Sequence, residues 1–543
     1  MADLTTRIPR DRKAPGQGPV GGSGQVAAAL SARLRAAARA ARPAALWPQH
    51  RLMAIAVLLS LVPRILALLS FRPALLTADS FLYMSNAVTH TLGNIRPSGY
   101  SFFLAVVRVL PAPLLAVTVL QHLMGIATAV IVYALLRYWG LPGWGATLAA
   151  LPTLFDVREI ALESYVLPDT LFGLVVVITV ALLLTRRTPR GWQCAAAGLL
   201  LAYACVLRGN GLPLAVVAAV FLLVRKVGWK SLAAAAGVFA VPLLGYVVAF
   251  HAAYGTYNLT TSDGVFLWSR TTSFANCAVI KPPPRLRPLC PDRAPGITVP
   301  APAAWSVPHL LAAPTPSAYL WSAGAWWRHD AQPGINRYNN RLGQQFAVAA
   351  ITAQPLDYLR VVGRDVLLTF AATDRPQAAS SMTFTPTARI ATLPSYYRAD
   401  ERAYAGTTAN THAVSPWSFW LFLYQQPVVF PGLLFLAVVA AGLAGVIRNW
   451  RRWGGAAALP WALAAVSIVS PALLTQSLYR YVIVAIPLAC LAAGLAFTRP
   501  GHPAEPAGPG TPHPARAPRQ PREPDLEAAA AVRHEPSWPP NTT

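Results

Sequence analysis

The chain is 543 residues long, 55% hydrophobic and only 12% charged, with a mean hydropathy of +0.43. A soluble globular protein carries roughly twice that charged fraction, so lipid is the solvent this composition calls for. The 45 Lys and Arg against 20 Asp and Glu give a net charge of +25. With no nucleic-acid-binding motif beside it and most basic residues in short loops between apolar runs, that charge argues for membrane topology and against nucleic acid as a partner.

Residues 1–50 lack a signal-peptide cleavage pattern and carry Arg-, Ala-, Gly- and Pro-rich sequence, which predicts a disordered basic cytoplasmic tail ending in a surface helix. The first span is expected at 52–70, where Pro63 and Arg64 imply a helix packed against protein. An outer loop, 71–110, follows, with a helix over SFLYMSNAVTH and an interfacial helix over SFFLAVVRVL. Further apolar runs lie at 114–136, 143–157, 166–185, 192–207, 212–224 and 231–251. Several fall short of about 20 residues, which leaves a re-entrant hairpin around Arg208 open.

Arg137, the Arg186/Arg187/Arg190 group, the Arg225/Lys226/Lys230 group and the Arg448/Arg451/Arg452 group all land on the side of the basic tail if each run crosses once. Residues 252–428 then form an extracytoplasmic domain, in which Cys277 and Cys290 are either a disulfide or two thiols. Three last runs, at 430–447, 456–475 and 480–497, lie within a C-terminal helical segment, 429–498, and a Pro-rich tail, 499–543, is expected to be disordered in the cytoplasm. The predicted architecture is an all-α polytopic membrane bundle of about ten transmembrane helices with a mixed extracytoplasmic domain. Its N-terminal bundle is 51–251, both termini are cytoplasmic, and the membrane is the inner or plasma membrane.

Two outer loops concentrate the chemistry. In the first, TADSFLY (Thr77 to Tyr83) precedes RPSGY (Arg96 to Tyr100), and Asp79 at the rim of a bundle could take a proton from a hydroxyl or hold a metal ion. It could equally cap the helix that follows. The second loop, FDVREIALESYVLPD, holds Asp156, Glu159, Glu163 and Asp169 with one arginine. Charges beside membrane helices are paired or functional, and Glu159 and Glu163 would share one helix face. Arg208 in VLRGNG and Arg480 in SLYRY are cationic on the outer side, suited to clamp a phosphate or to anchor in lipid head groups.

ADSFLY, PSGYSFFL, the acid-bearing second loop, the hairpin at Arg208 and a last run opening RYVIVAIP together resemble the GT-C integral-membrane glycosyltransferases, in particular the branch of the protein O-mannosyltransferases and lipid A aminoarabinose transferases. The resemblance covers 50–260 and 430–497. It implies inverting transfer of a sugar from a polyprenyl-phosphate donor to a glycan, lipid or protein acceptor on the outer face, next to membrane lipid. By position it makes Asp79 the general base or acceptor-orienting group and Glu163 or Asp169 the second-loop acid. Tyr83, Arg208 and Arg480 become the residues for the carrier phosphate or donor. Many such enzymes have two adjacent acids in the first loop, whereas here Ala78 and Ser80 flank Asp79; that departure puts a metal site there in doubt, and a divalent cation stays an open candidate cofactor. A lipid or glycan transporter is the alternative, and a membrane scaffold a third reading, but clustered acids at outer helix ends favour the enzyme because a transporter concentrates polar groups near the midplane.

Overall fold

Apolar runs fold into helix in lipid because the bilayer offers backbone N–H and C=O groups no other partner. The computed structural model describes residues 43–186, 188–291, 316–322, 324–371, 384, 395–406, 411–452, 455–476 and 479–498. Both expected disordered tails thus lie essentially outside the described residues. The first run becomes α1 (Pro43–Ser70), followed by a two-residue strand β1 (Phe71–Arg72), α2 (Ala78–Thr89), α3 (Gly99–Val107) and α4 (Pro113–Tyr138). Then come α5 (Gly143–Phe155), α6 (Val157–Ser164), α7 (Asp169–Leu184), α8 (Gly191–Leu207), α9 (Gly211–Val224) and α10 (Trp229–Tyr254). The outer region supplies α11 (Asp263–Thr271), α12 (Arg337–Ala353), α13 (Pro355–Leu368), α14 (Ser395–Ala405), strand β2 (His412–Ala413) and α15 (Trp417–Gln425), with shorter helical turns between them. The chain returns through α16 (Gly432–Arg448), α17 (Ala458–Leu474), α18 (Tyr479–Val482) and α19 (Ala485–Ala496).

Among the described residues, four helices are long and apolar enough to cross a membrane: His50–Ser70, Pro113–Tyr138, Trp229–Tyr254 and Gly455–Leu474. Five shorter apolar helices accompany them, α7, α8, α9, α16 and α19. Among the described residues, the runs behind the expected count of about ten transmembrane helices do not all form helices of full membrane length, and two of them show why. The run at 143–157 stops as a 13-residue helix because Pro152 weakens its last turn and Asp156 caps α6, its Oδ1 accepting from Arg158 N at 3.0 Å. The run at 480–497 divides into α18 and α19, and Pro487, in the first turn of α19, sits where a helix needs no N–H. Asp79 does not cap α2; Thr77 does, with Ser80 Oγ accepting from the Thr77 N–H at 2.9 Å.

Helix α19 is buried on nearly every side, as a helix apolar all round should be. On the outer side, backbone pairing draws distant segments together. β1 runs antiparallel to β2, with Phe71 opposite Ala413. Leu75 N donates to Ser164 O and Val166 N donates to Leu75 O, both at 3.0 Å, which zips the first loop to the second. The region after α10 builds its own core from Trp268, Phe274, Trp326, Trp327 and Phe346, closed by a disulfide between Cys277 and Cys290. A buried Arg270–Asp365 pair, 2.7 Å, ties α11 to α13.

Helix α14 lies over α2 and α3, with Tyr404 donating to Leu104 O at 2.9 Å. Glu401 on α14 is 5% exposed and its Oε1 has no hydrogen-bond partner among the described residues. Burial pushes its carboxyl up to about 7. A carboxyl raised from 4.5 in this way contributes stability below that value and loses it as pH rises through about 7. Glu401→Gln should therefore stabilise the protein by on the order of 3 kcal/mol relative to wild type above about pH 8 and by nothing at about pH 4, read as thermal midpoints at the two pH values.

Candidate functional site

The loop that carries Asp79 is held in place by the RPSGY turn. Ser98 Oγ accepts from Gly93 N at 2.7 Å, and Ser98 N donates to the Tyr246 hydroxyl on α10 at 3.1 Å. Tyr203 on α8 donates to Gly99 O at 3.2 Å, and Tyr100 donates to Gln121 on α4 at 2.7 Å. A Cβ on Gly99 would come within 2.6 Å of the Val206 backbone, so only glycine permits α3 to start this close to the end of α8. Three helices, α4, α8 and α10, thus hold the turn from Ser98 to Tyr100 that follows Arg96.

Arg96 Nε donates to Asp79 Oδ1 at 3.1 Å, and Arg480 Nη2 donates to Asp79 Oδ2 at 3.3 Å. Arg480 Nε lies 3.7 Å from Asp169 Oδ1, which also accepts from Arg208 Nη1. The result is a row of alternating charge, Arg96, Asp79, Arg480, Asp169, Arg208, drawn from the first loop, the start of α7, the α8–α9 turn and α18. Each side chain in the row is a fifth exposed or less. Burial opposes the charge on Asp79, but Arg96 and Arg480 outweigh it and hold the carboxyl below its ordinary value. Asp169 Oδ2 is buried without a hydrogen-bond partner among the described residues.

Arg96, Arg208 and Arg480 line a cavity of about 420 Å³, together with Tyr83 and Tyr481. The Arg208 guanidinium sits 4.7 Å from the Tyr481 ring centre and that of Arg480 5.2 Å from it, so one aromatic ring braces both cations. Burial pushes the Tyr83 phenol above its usual range, with the Asp79 charge adding to the effect, and keeps it a hydrogen-bond donor. Three cations against two carboxylates leave this row one positive charge in excess. That is a donor set for an anion, and it does not fit a divalent cation, whose ligands would have to be pulled from arginine.

Of the residues expected from sequence, Asp79, Tyr83, Asp169, Arg208 and Arg480 meet here. Glu163 lies elsewhere. Its Oε1 accepts from Arg64 Nη2 at 2.8 Å and its Oε2 contacts His122 Nδ1 at 2.7 Å, all three buried in the bundle. Arg64 also donates to Leu154 O at 2.7 Å. Gly125 is obligatory beside them, since a Cβ there would stand 1.7 Å from Glu163 Oε1. Arg96 and Tyr481 were not singled out for the site, although Arg96 met the criterion that selected Arg208 and Arg480, a cation on the outer side against the charge trend.

No protein-family model and no curated protein matches the chain. Among solved structures, a protein O-mannosyltransferase Pmt1-Pmt2 complex of S. cerevisiae bound to the sugar donor is similar at 17% identity over 47% of this chain, with a TM-score of 0.31. The match spans 37% of that chain's length. ArnT from Cupriavidus metallidurans bound to undecaprenyl phosphate is similar at 15% identity, over 82% of this chain and 76% of that one, with a TM-score of 0.34.

Proposed function

We propose that this chain is a GT-C-type membrane glycosyltransferase that moves a sugar from a polyprenyl-phosphate donor to an acceptor hydroxyl on the outer face of the cell membrane, with both termini in the cytoplasm. The observation that carries the reading is the row of three arginines and two aspartates: the arginines line one cavity, and the aspartates pair with them from behind it. The arginines suit a phosphate that gains charge as it leaves, where cationic stabilisation in a water-poor site is strongest. The motif resemblance supplies the reaction class. The disulfide Cys277–Cys290 supports an oxidising outer compartment for the region after α10.

In this mechanism the acceptor oxygen attacks the anomeric carbon from the face away from the phosphate. Its proton passes to Asp79, the bond from carbon to phosphate oxygen breaks, and the electron pair stays on the phosphate beside Arg208 and Arg480. Asp169 is a positioning residue, holding both arginines from its Oδ1. A phosphate in the cavity competes with Asp79 for Arg480, so donor binding loosens the grip that lowers the Asp79 pKa and raises its basicity when it is needed. Arg64, Glu163 and His122 do not line the cavity.

The deciding experiment is transfer from a panel of polyprenyl-phosphate sugars by the purified protein, alongside Arg480→Gln. The variant is expected to bind the bare carrier 10- to 100-fold more weakly, the scale of a lost charged hydrogen bond of about 1.5–3 kcal/mol. Carrier binding with no transfer from any donor would favour the transporter.

A further inference from the structure

The cavity has a second set of lining side chains, which the reaction above leaves unused. Asn258, Thr260 and Ser262 come from the connection between α10 and α11, Asp263 opens α11, and Asn340 and Gln344 come from α12. They are built into the same frame as the arginines. Ser262 Oγ donates to Ile95 O at 2.9 Å and Thr261 N donates to Asn94 O at 2.7 Å, next to Arg96. The Arg96 guanidinium itself stacks 4.8 Å from the Phe266 ring centre on α11.

Asp263 differs from the other two carboxylates of the cavity region. No arginine or lysine pairs with it among the described residues. Thr260 Oγ1 donates to its Oδ1 at 2.7 Å and Asn258 Nδ2 donates to its Oδ2 at 2.8 Å, so it is oriented by neutral donors. Each oxygen keeps a further lone pair, and the side chain is exposed. Asn340 Oδ1 accepts from Gly264 N at 2.6 Å and from Val265 N at 3.3 Å, which fixes its amide and leaves the NH₂ end to donate. Gln344, one helical turn on, is exposed. A pre-oriented carboxylate beside amide donors is the pattern that reads hydroxyls, while the arginines answer to phosphate. The volume, near the lower end of the roughly 300–1,000 Å³ common for ligand sites, suits one sugar unit on its phosphate.

We infer that Asp263, Asn340 and Gln344 recognise the hydroxyls of the transferred sugar and select a neutral sugar over a uronic acid. Asp263 accepts from the hydroxyls and its charge repels an acidic sugar, which is discrimination by an unfavourable contact as well as a favourable one. The inference rests on the transferase reading of the same cavity and goes beyond it, since the arginines alone would hold any polyprenyl phosphate equally.

Binding of bare polyprenyl phosphate, of the carrier bearing a neutral hexose and of the carrier bearing a uronic acid separates the two claims, using the full chain in nanodiscs. Wild type is expected to bind the neutral-sugar donors more tightly than the bare carrier. Asp263→Ala is expected to weaken binding of the preferred neutral-sugar donor 10- to 100-fold, leave the bare carrier unchanged, and narrow the gap to the uronic-acid donor. Gln344→Ala, on an exposed helix position, should show the same split to a smaller extent and guards against a folding artefact. Equal losses for donor and bare carrier, or none for either, would overturn the inference while leaving the transferase reading in place. If wild type binds no polyprenyl phosphate, that reading fails and this inference with it.

Discussion

Asp79→Asn is expected to lower sugar transfer at least about a hundredfold, the scale of a lost general base, while the variant still folds and still binds the carrier phosphate. Asparagine keeps the shape and one acceptor oxygen but cannot take the acceptor's proton. The pH profile carries the sharper test. In the free protein Arg96 and Arg480 hold the Asp79 carboxyl below its ordinary 3.8. A group depressed in this way contributes stability above its unfolded value and loses it as pH falls through the folded one, so Asp79 remains ionised across the working range. Once a donor phosphate shares Arg480, the carboxyl becomes more basic. The acid limb of kcat, which reports the bound complex, should then lie at higher pH than the acid limb of kcat/KM, which reports the free protein. Turnover that survives the substitution would remove Asp79 from the chemistry, and coincident limbs would remove the exchange at Arg480.

The sequence displayed the helices and the two outer loops because their signals are local: apolar runs, charge asymmetry and short motifs around Asp79 and Arg208. It could not number the full spans, since the stops at Asp156 and before Ala485 depend on a single proline and a cap inside otherwise apolar runs. The choice between Glu163 and Asp169 was equally out of reach. Helical spacing put Glu159 and Glu163 on one face, but which way that face turns is set by the Leu75–Ser164 and Leu75–Val166 backbone pairs, contacts across 89 and more residues that leave no periodic trace. Asp263 and Asn340 were invisible for the same reason, as the chain brings them to the cavity only through the fold of the outer region.

Glu163→Ala is expected to destabilise the protein by about 3–5 kcal/mol, because it strands the Arg64 guanidinium, 2% exposed, without its counter-charge in the bundle. The cluster is also incompletely satisfied: Arg64 Nε and His122 Nε2 are buried with no hydrogen-bond partner among the described residues. Replacing both charges with apolar side chains of similar volume therefore removes a desolvation cost along with the attraction. An Arg64→Met, Glu163→Met double variant should recover most of the lost stability in thermal melts, where either single variant does not. That pair of melts decides what the second-loop acid is for. A double variant that folds and transfers sugar near the wild-type rate makes Glu163 a counter-ion that fixes α1 against α6 and so sets where Asp169 emerges at the start of α7. If the folded double variant instead loses transfer as deeply as Asp79→Asn, the Arg64–Glu163 pair serves the chemistry and not only the packing of α1 against α6.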